Sequence, residues 1–450
     1  MAGEVLTFPG ITAAIRPLAC FVRIGEAHKK LSDLHASGRL PAKRVVVDAS
    51  RFRYQHELTN ELRESGAEVV LDTEVAELAA PSKFAGHSRH APWASASEGD
   101  LLGPQHFQRN ASADVIGQIA RFAVKHQVDV VLAPTHYLGD LNFANWLEVD
   151  REACLLLRSA LDREGGAHIA IDYPVIIPHT DLNSSEVRGE LTASLVDLPI
   201  DSVWIRASGL GPDVGPLTMK RYLAAMSGLH NMGKPIIADH LGGFTGMTAM
   251  AFGAASGIAV GIGERERFDA RGWHKPPPPR KEDDSFGRAV RVALPSLNRS
   301  ATIKELELLT SATNGKKLLA CGDRRCCPHG LKDMIDDPRR HAAYQLFARI
   351  EALQKVPDLK RGHYFLNGPI ADADRLARQV KQLKPSEEVA VLHDIDVNKL
   401  MKRLYDHSRR IEKLRSTLEN IHEARTDEAP RAHPLVRHQP AIRKSKEDKR

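Results

Sequence analysis

Short, nearly continuous apolar runs recur between residues 40 and 265, and segments with helical periodicity separate them. Runs of this kind are typical of parallel strands that are covered on both faces. The predicted strands are 44–49, 68–72, 129–133, 168–172, 202–207, 235–239 and 257–261, with a further candidate at 20–24. The predicted helices include 113–126, 145–162, 184–195, 217–230 and 247–255.

Seven or eight strands that alternate with helices predict an α/β fold, a (β/α)8 TIM-like barrel over residues 1–300. An open, doubly wound sheet is the alternative that the same alternation allows. No stretch contains the roughly 18 consecutive apolar residues of a transmembrane helix, so we expect a soluble protein with no membrane partner.

Polar residues directly follow the apolar runs, at the strand ends where the chemistry of these barrels is located. A single Asp at such a point often only caps the next helix or turn, so the whole set carries more weight than any member. The strand-end residues are Asp48, Asp72, Asp172, Arg206, Ser208, Asp239, His240 and Glu264. We expect some of them to form a functional site.

Two long segments, 81–110 and 264–300, interrupt the alternation at the same end of the predicted barrel. Loops of this length are usually functional or disordered. Trp93 in the first loop is either a platform for a planar ligand or an ordinary loop residue. His87 and His90 have the spacing of a metal-ligand pair, but no third ligand is evident.

A glycine pair, Gly242 and Gly243, lies between a predicted strand and a helix. Glycines here would let backbone amides approach an anion, and tight packing of the strand against the helix explains them equally well. No Gly-Lys-Ser/Thr follows, so the segment is not a P-loop for nucleotide hydrolysis.

Three of the five cysteines lie within seven positions, as Cys321, Cys326 and Cys327, and His341 follows on a predicted helix. Thiolates with an imidazole suit a closed, structural Zn²⁺ site, for which His329 is a further candidate ligand. Three buried, inert cysteines are the alternative. We expect a zinc-binding helical subdomain over 301–390.

The segment 398–425 has apolar residues at alternating spacings of four and three, beginning at Leu400 and Leu404. This heptad pattern predicts a coiled-coil helix within 391–426, formed with a second copy or with another protein. An amphipathic helix that packs back on the barrel has similar spacing. The tail 427–450 is basic and rich in Pro and His, so we expect it to be disordered.

Charge and cysteine usage narrow the class of protein only slightly. The formal net charge is +6, with 63 Lys and Arg against 57 Asp and Glu, which permits a polyanionic partner without requiring one. Isolated Cys20 and Cys154 argue against a disulfide framework, and the N-terminus has no signal-peptide pattern. We therefore expect a cytoplasmic protein.

A barrel followed by a cysteine-rich knot, a His on a helix and a helical extension resembles the tRNA-guanine transglycosylase superfamily, which includes relatives that place deazaguanine bases in DNA. The resemblance covers about 40–350, and it implies a structural zinc, nucleic acid as partner and base exchange as the reaction. In this family a carboxylate attacks the sugar carbon and a second acid manages protons.

The family's roles map onto the strand-end residues of this chain. The resemblance implies Asp72 as general acid/base and Asp239 or Glu264 as nucleophile. It further implies that Arg206 and His240 contact phosphate or base. The strand 257–261 itself contains no acid, so Glu264 is the first carboxylate after it.

Three functional hypotheses follow. An enzyme acting on a base in nucleic acid requires Asp72, Asp239 and Glu264 to converge in one pocket. A non-catalytic nucleic-acid-binding or assembly subunit requires a basic groove, without convergent carboxylates, and a partner on 398–425. A metal-dependent hydrolase requires Asp239, His240 and loop histidines to share one ion.

Overall fold

The computed structural model describes residues 16–84, 86–94, 101–139, 143–263, 265–276, 290–425 and 431–437. Eight parallel strands form a closed barrel in sequence order, with β1 hydrogen-bonded to β8. The strands are β1 Ala19–Arg23, β2 Arg44–Asp48, β3 Glu68–Asp72, β4 Val130–Leu132, β5 Ala170–Pro178, β6 Ser202–Ser208, β7 Ile236–Asp239 and β8 Gly257–Val260. The predicted TIM-like barrel is confirmed, and the open sheet is excluded.

Helices follow most strands and cover the barrel. These are α1 His28–Ala36, α2 Phe52–Glu64, α3 Val75–Leu78, α4 Pro81–Phe84, α5 Val115–Lys125, α6 Phe143–Arg163, α7 Ser185–Leu195, α8 Pro216–Gly228 and α9 Gly243–Ala251. A two-stranded antiparallel sheet follows, with β9 Arg291–Leu294 and β10 Arg299–Thr302. The C-terminal helices are α10 Ile303–Ser311, α11 Gly315–Leu319, α12 Leu331–Asp336, α13 Pro338–Gln354, α14 Arg361–Asn367, α15 Pro369–Val380, α16 Glu387–His393 and α17 Val397–Glu423.

Alternation along the strands sorts the barrel interior into layers, because successive side chains point to opposite faces of a sheet. One buried cluster is apolar and contains Phe21, Val46, Val70, Trp204 and Ile237. The residues two positions further along the same five strands are charged and buried: Arg23, Asp48, Asp72, Arg206 and Asp239. The strand pattern therefore places a charged layer above an apolar layer, at the carboxyl end of the barrel.

The segment 431–437 closes the opposite end of the barrel. Leu435 is buried in the same cluster as the apolar interior residues. Arg437 forms ion pairs with Asp172, with Glu68 at 3.2 Å and with Asp201 at 3.3 Å. A disordered tail was expected over 427–450, whereas Leu435 of this segment occupies a buried apolar site and Arg437 pairs with the buried Asp172. The other residues of the predicted tail, 427–430 and 438–450, lie outside the described residues.

The long helix α17 packs on its own chain, against α15 and α8. The heptad positions Leu400, Leu404, His407, Ile411, Leu414 and Leu418 are all buried in the single chain. His407 Nε2 lies 2.7 Å from the Leu297 carbonyl oxygen. The structure therefore favours the amphipathic-helix alternative over the coiled coil with a partner, because the heptad face is already covered. Within the described ranges, no helix is both long and apolar enough to span a bilayer.

Candidate active site at the barrel mouth

Four buried charges form a closed ionic cluster at the carboxyl end of the barrel. Arg23 donates from Nε and Nη2 to the two oxygens of Asp239, at 2.8 and 2.7 Å, and from Nη1 to Asp72 at 2.8 Å. Arg206 donates to Asp239 and to Asp72, each at 2.8 Å. The two predicted catalytic aspartates, from β3 and β7, therefore meet on the same pair of guanidiniums.

Both aspartates are held as carboxylates. Burial alone would raise the pKa of Asp72, but the guanidiniums of Arg206 and Arg23 lower that pKa below its ordinary value. The pKa of Asp239 is lowered in the same way, since the charges of Arg23 and Arg206 outweigh its burial. The remaining oxygens are also occupied, because the backbone N–H of Glu74 donates to Asp72 and that of His240 donates to Asp239.

This arrangement bears on two roles that the resemblance implies. A carboxylate with a lowered pKa is a poor proton donor, which disfavours Asp72 as general acid. Arg206 donates from Nε and Nη2 to Asp239 and Asp72, and its Nη1 lies 3.7 Å from Glu77, so its guanidinium is already paired with carboxylates. Glu264 lies outside the described residues.

Protonatable carboxyls do occur beside the cluster, on α3 and the turn before it. Burial raises the pKa of Glu74 well above its ordinary value, and the charges of Asp48 and Glu77 add to the effect. Burial also raises the pKa of Glu77, although Arg206, 3.7 Å away, opposes the shift. Separated carboxyl pKa values within one site are typical of acid–base chemistry.

Backbone strain is concentrated in the same region. Glu74, His240 and Arg265 have φ angles of 52°, 54° and 54°, in the left-handed region that non-glycine residues rarely adopt. Burial and the charges of Arg23 and Arg206 lower the pKa of His240 well below its ordinary value, so its ring is neutral. Strained residues of this kind cluster at functional sites.

An apolar cover lies over the charged layer. It contains Ala76, Ala80, Tyr137, Ile176, Phe268 and Trp273. Phe268 faces both the Arg206 guanidinium, 5.8 Å from the ring centroid, and the His240 ring, at 5.6 Å between centroids. The charged layer is thus shielded from water, which strengthens its electrostatic interactions.

Trp93 has a structural position instead of the expected stacking role. Its side chain is fully buried, and its indole N–H donates to the Thr73 carbonyl oxygen at 3.0 Å. Its ring meets Phe122 edge-on, at 5.7 Å between centroids. Trp93 therefore anchors the first long loop directly after β3, and the aromatic residues of the apolar cover include Tyr137, Phe268 and Trp273.

The structure favours the packing interpretation of Gly242 and Gly243. A Cβ on Gly242 would lie 2.7 Å from the Glu266 side chain, and one on Gly243 would lie 2.5 Å from Pro212. The backbone N–H of Phe244, which an anion would use, already donates to Asn298 Oδ1 at 2.7 Å. The glycines allow close packing and leave no space for an anion.

A second ionisable pair follows β4 and was not found from the sequence. His136 Nδ1 lies 2.5 Å from Asp150 Oδ1, and the His136 backbone N–H donates to Asp150 Oδ2 at 2.8 Å. The imidazole stacks on Trp146, at 3.8 Å between centroids, and its Nε2 has no hydrogen-bond partner among the described residues. An imidazole oriented by a carboxylate, with its other nitrogen free, has the geometry of a general base.

The predicted metal ligands come together in the C-terminal part of the chain. One potential ligand atom from each of Cys321, Cys326, Cys327 and His341 lies within 4.8 Å of the others, and this group could hold a metal ion. His341 Nδ1 lies 3.3 Å from Cys326 Sγ and 3.4 Å from Cys327 Sγ, and the two sulfurs are 3.6 Å apart. A tetrahedral ion with metal–sulfur bonds of about 2.3 Å separates its sulfurs by roughly 3.7 Å.

The surroundings of this group orient its ligands. His341 Nε2 lies 3.1 Å from the Ala293 carbonyl oxygen, which leaves Nδ1 free for the ion. His329 is largely exposed and lies 3.2 Å from Asp333, so it is not a ligand. Among the described residues, neither His87 and His90 nor Asp239 and His240 belongs to such a group, which removes the support for a metal-dependent hydrolase.

No model of a known protein family matches this chain, and no curated protein has a significantly similar sequence. The class defined by the fold and the site is a TIM-like barrel with a buried ionic cluster at its carboxyl end and a Cys3His group in the C-terminal part of the chain.

Proposed function

We propose that this protein acts on a nucleobase attached to nucleic acid, at the carboxyl end of its barrel. The convergence of Asp72 and Asp239 on one pair of guanidiniums, beside the carboxyls of Glu74 and Glu77, carries the proposal. Guanine or 7-deazaguanine exchange, as the resemblance implies, is the reaction we propose. The bond from the sugar C1′ to the resident base breaks as a protonated carboxyl gives the leaving base a proton. The incoming base then forms a new bond to C1′, and its ring N–H proton returns to the same carboxylate.

Glu77 is the proton donor in this proposal, in place of Asp72. Its pKa is raised by burial, so it keeps its proton to a higher pH than an ordinary Glu does. Its Oε2 is buried and has no hydrogen-bond partner within the part of the chain that the structure describes. Asp72 and Asp239 are assigned no covalent role, because hydrogen bonds occupy all four of their oxygens and Arg23 and Arg206 balance their charge.

Zinc is the metal that fits the Cys3His group. Three thiolates and an imidazole are the donors zinc prefers, and four protein ligands leave no open position for substrate or water. We assign this zinc a structural role, in which it holds α13 against β9 through His341. Thiol ligands of this kind require a reducing compartment, so we propose the cytoplasm.

A non-catalytic nucleic-acid-binding subunit is the second candidate, and two observations favour it. The carboxylates of Asp72 and Asp239 are saturated by hydrogen bonds. The apolar cover with Phe268 and Trp273 lies directly over them. If the protein is such a subunit, the charged layer stabilises the barrel and has no catalytic role.

The rate of base exchange as a function of pH separates the two candidates. The substrates are labelled guanine or 7-deazaguanine with DNA or tRNA, and the proteins are the wild type, Glu77→Gln and, as a control, Glu61→Gln on the exposed face of α2. We expect Glu77→Gln to reduce the rate about a hundredfold or more. We expect the wild-type rate to fall as the pH rises through the raised pKa of Glu77, where the donor loses its proton.

Equal rates for Glu77→Gln and Glu61→Gln would remove Glu77 from this role. Binding of the polymer without any exchange by the wild type would establish the second candidate instead.

A further inference from the structure

A groove runs between α2 and α5 on the outside of the barrel. Its volume is about 540 Å³, within the range of ligand-binding clefts. Phe52, His56, Asn60 and Arg63 line it along one face of α2, and the eleven helical steps from Phe52 to Arg63 make it roughly 16 Å long. Its lining includes Ala49, directly after the buried Asp48 of the charged layer.

The lining of the groove is basic. Arg53, Arg63 and Lys125 contribute cations, His56, His90 and His126 contribute imidazoles, and no Asp or Glu is among the lining residues. Within the described ranges, none of the three cations has a carboxylate partner within salt-bridge distance, although many other arginines of the chain do. Their positive charge is therefore not neutralised, although Arg53 donates to the Tyr54 hydroxyl and Arg63 donates to the His126 and Gln127 carbonyl oxygens and to Asn60.

Planar side chains lie beside the cations. The His126 ring lies 4.5 Å from the Phe52 ring and 4.3 Å from the Phe122 ring, measured between centroids. His56 and His90 are exposed at the groove. Single-stranded nucleic acids bind to grooves of this kind. Their phosphates contact the cationic side chains, and their bases stack on the planar side chains.

We propose that this groove binds a short single-stranded segment of nucleic acid, with its phosphates on Arg53 and Lys125, and directs the strand toward the barrel mouth. The length of the groove suits several linked nucleotides better than one phosphate, and Ala49 in its lining adjoins Asp48 of the charged layer. The inference rests on the proposed function only in taking nucleic acid to be the polymer.

The test is the affinity for a short fluorescent single strand, measured by anisotropy over a series of salt concentrations. The variant Arg53→Gln with Lys125→Gln removes two groove cations, and Arg63 is left in place because it donates to the His126 carbonyl oxygen at the end of α5. The matched control is Lys220→Gln with Arg221→Gln, two exposed cations on α8.

We expect the groove variant to weaken binding by roughly tenfold and to reduce the slope of log K against log salt by about 1.4, since two phosphate contacts are lost. The control should change neither, and both variants should keep the wild-type melting temperature and metal content. An equal loss in the control, an unchanged salt slope, or displacement of the strand by polyglutamate at matched charge would overturn the proposal.

The outcome is distinguishable from failure of the proposed function. If the groove variant loses strand affinity while the wild type exchanges no base, the groove stands and the nucleobase chemistry fails. If Glu77→Gln loses exchange while the groove variant binds as the wild type does, the chemistry stands and the groove fails.

Discussion

Arg23 and Arg206 make the charged layer intolerant of losing one member, because each guanidinium contacts both aspartates. Removing Asp239 leaves two buried cations with a single carboxylate between them. We expect Asp239→Asn to lower the free energy of unfolding by about 3–5 kcal/mol. Denaturant unfolding measures this, and Asp406→Asn, in the exposed pair with Lys402, should change stability little.

Glu74 makes the stability of the protein decrease as the pH rises. Its pKa in the folded protein is raised above the ordinary value of 4.5, so the folded state binds more protons than the unfolded state. The contribution of Glu74 to stability is therefore fully present below about pH 4.5, and it is lost as the pH rises through the pKa of the folded state. We expect Glu74→Gln to flatten this decline and to be more stable than the wild type at neutral pH, in urea unfolding at several pH values. A decline as steep as that of Glu61→Gln, an exposed control, would contradict this.

The two histidines near the cysteines should behave differently. His341→Ala removes a buried ligand of the Cys3His group, so we expect the purified variant to lose its zinc and to melt at a lower temperature. His329→Ala changes an exposed ring outside the group and should retain both properties. Metal analysis of the two variants, alongside the wild type, tests this; zinc that survives the loss of His341 would refute the ligand set.

The sequence could identify the metal ligands but not the proton donor. Cys321, Cys326, Cys327 and His341 stand out because their residue types are uncommon and close in sequence. Arg23 lies within an apolar strand, and only the two-residue step from Phe21 marks it as facing the same interior. The raised pKa of Glu77 depends on neighbours from distant strands, which no local pattern records.

At the level of elements, α17 shows the limit of a heptad pattern. The spacing of Leu400 and Leu404 requires only that one face be buried, and α8 and α15 of the same chain bury it. We expect Leu404→Ala to destabilise the protein by about 2–5 kcal/mol, through the cavity it leaves. Tyr405→Ala, at a half-exposed neighbour, should cost much less.

Denaturant unfolding and sedimentation at several protein concentrations measure the two effects. Destabilisation that depended on protein concentration would instead support a coiled coil between copies.

The contacts of the C-terminal segment 431–437 could not be predicted from its composition either. Composition predicts disorder for 427–450, yet Leu435 and Arg437 fit the apolar and acidic base of the barrel. Val436, between them, is 71% exposed. A few anchoring side chains, Arg431, Ala432, Leu435 and Arg437, hold this segment in place, so a compositional signal averaged over two dozen residues does not detect them.

At the level of the whole molecule, closure of the barrel was predictable because eight apolar runs alternate with helices. Continuous burial on both faces leaves few other architectures for such strands. The apolar cover was not predictable, since Tyr137 follows β4 while Phe268 and Trp273 follow β8, in two segments without regular periodicity. The same cover sets the chemistry of the mouth, because it keeps water from the charges beneath.

The most direct test of nucleobase chemistry at this mouth is incorporation of isotope-labelled guanine or 7-deazaguanine into DNA and into tRNA. Metal-loaded wild-type protein is incubated with each polymer, and the nucleosides are then analysed by mass spectrometry. We predict label in the nucleosides of one polymer. Folded, metal-loaded protein that leaves both polymers unlabelled would contradict the account.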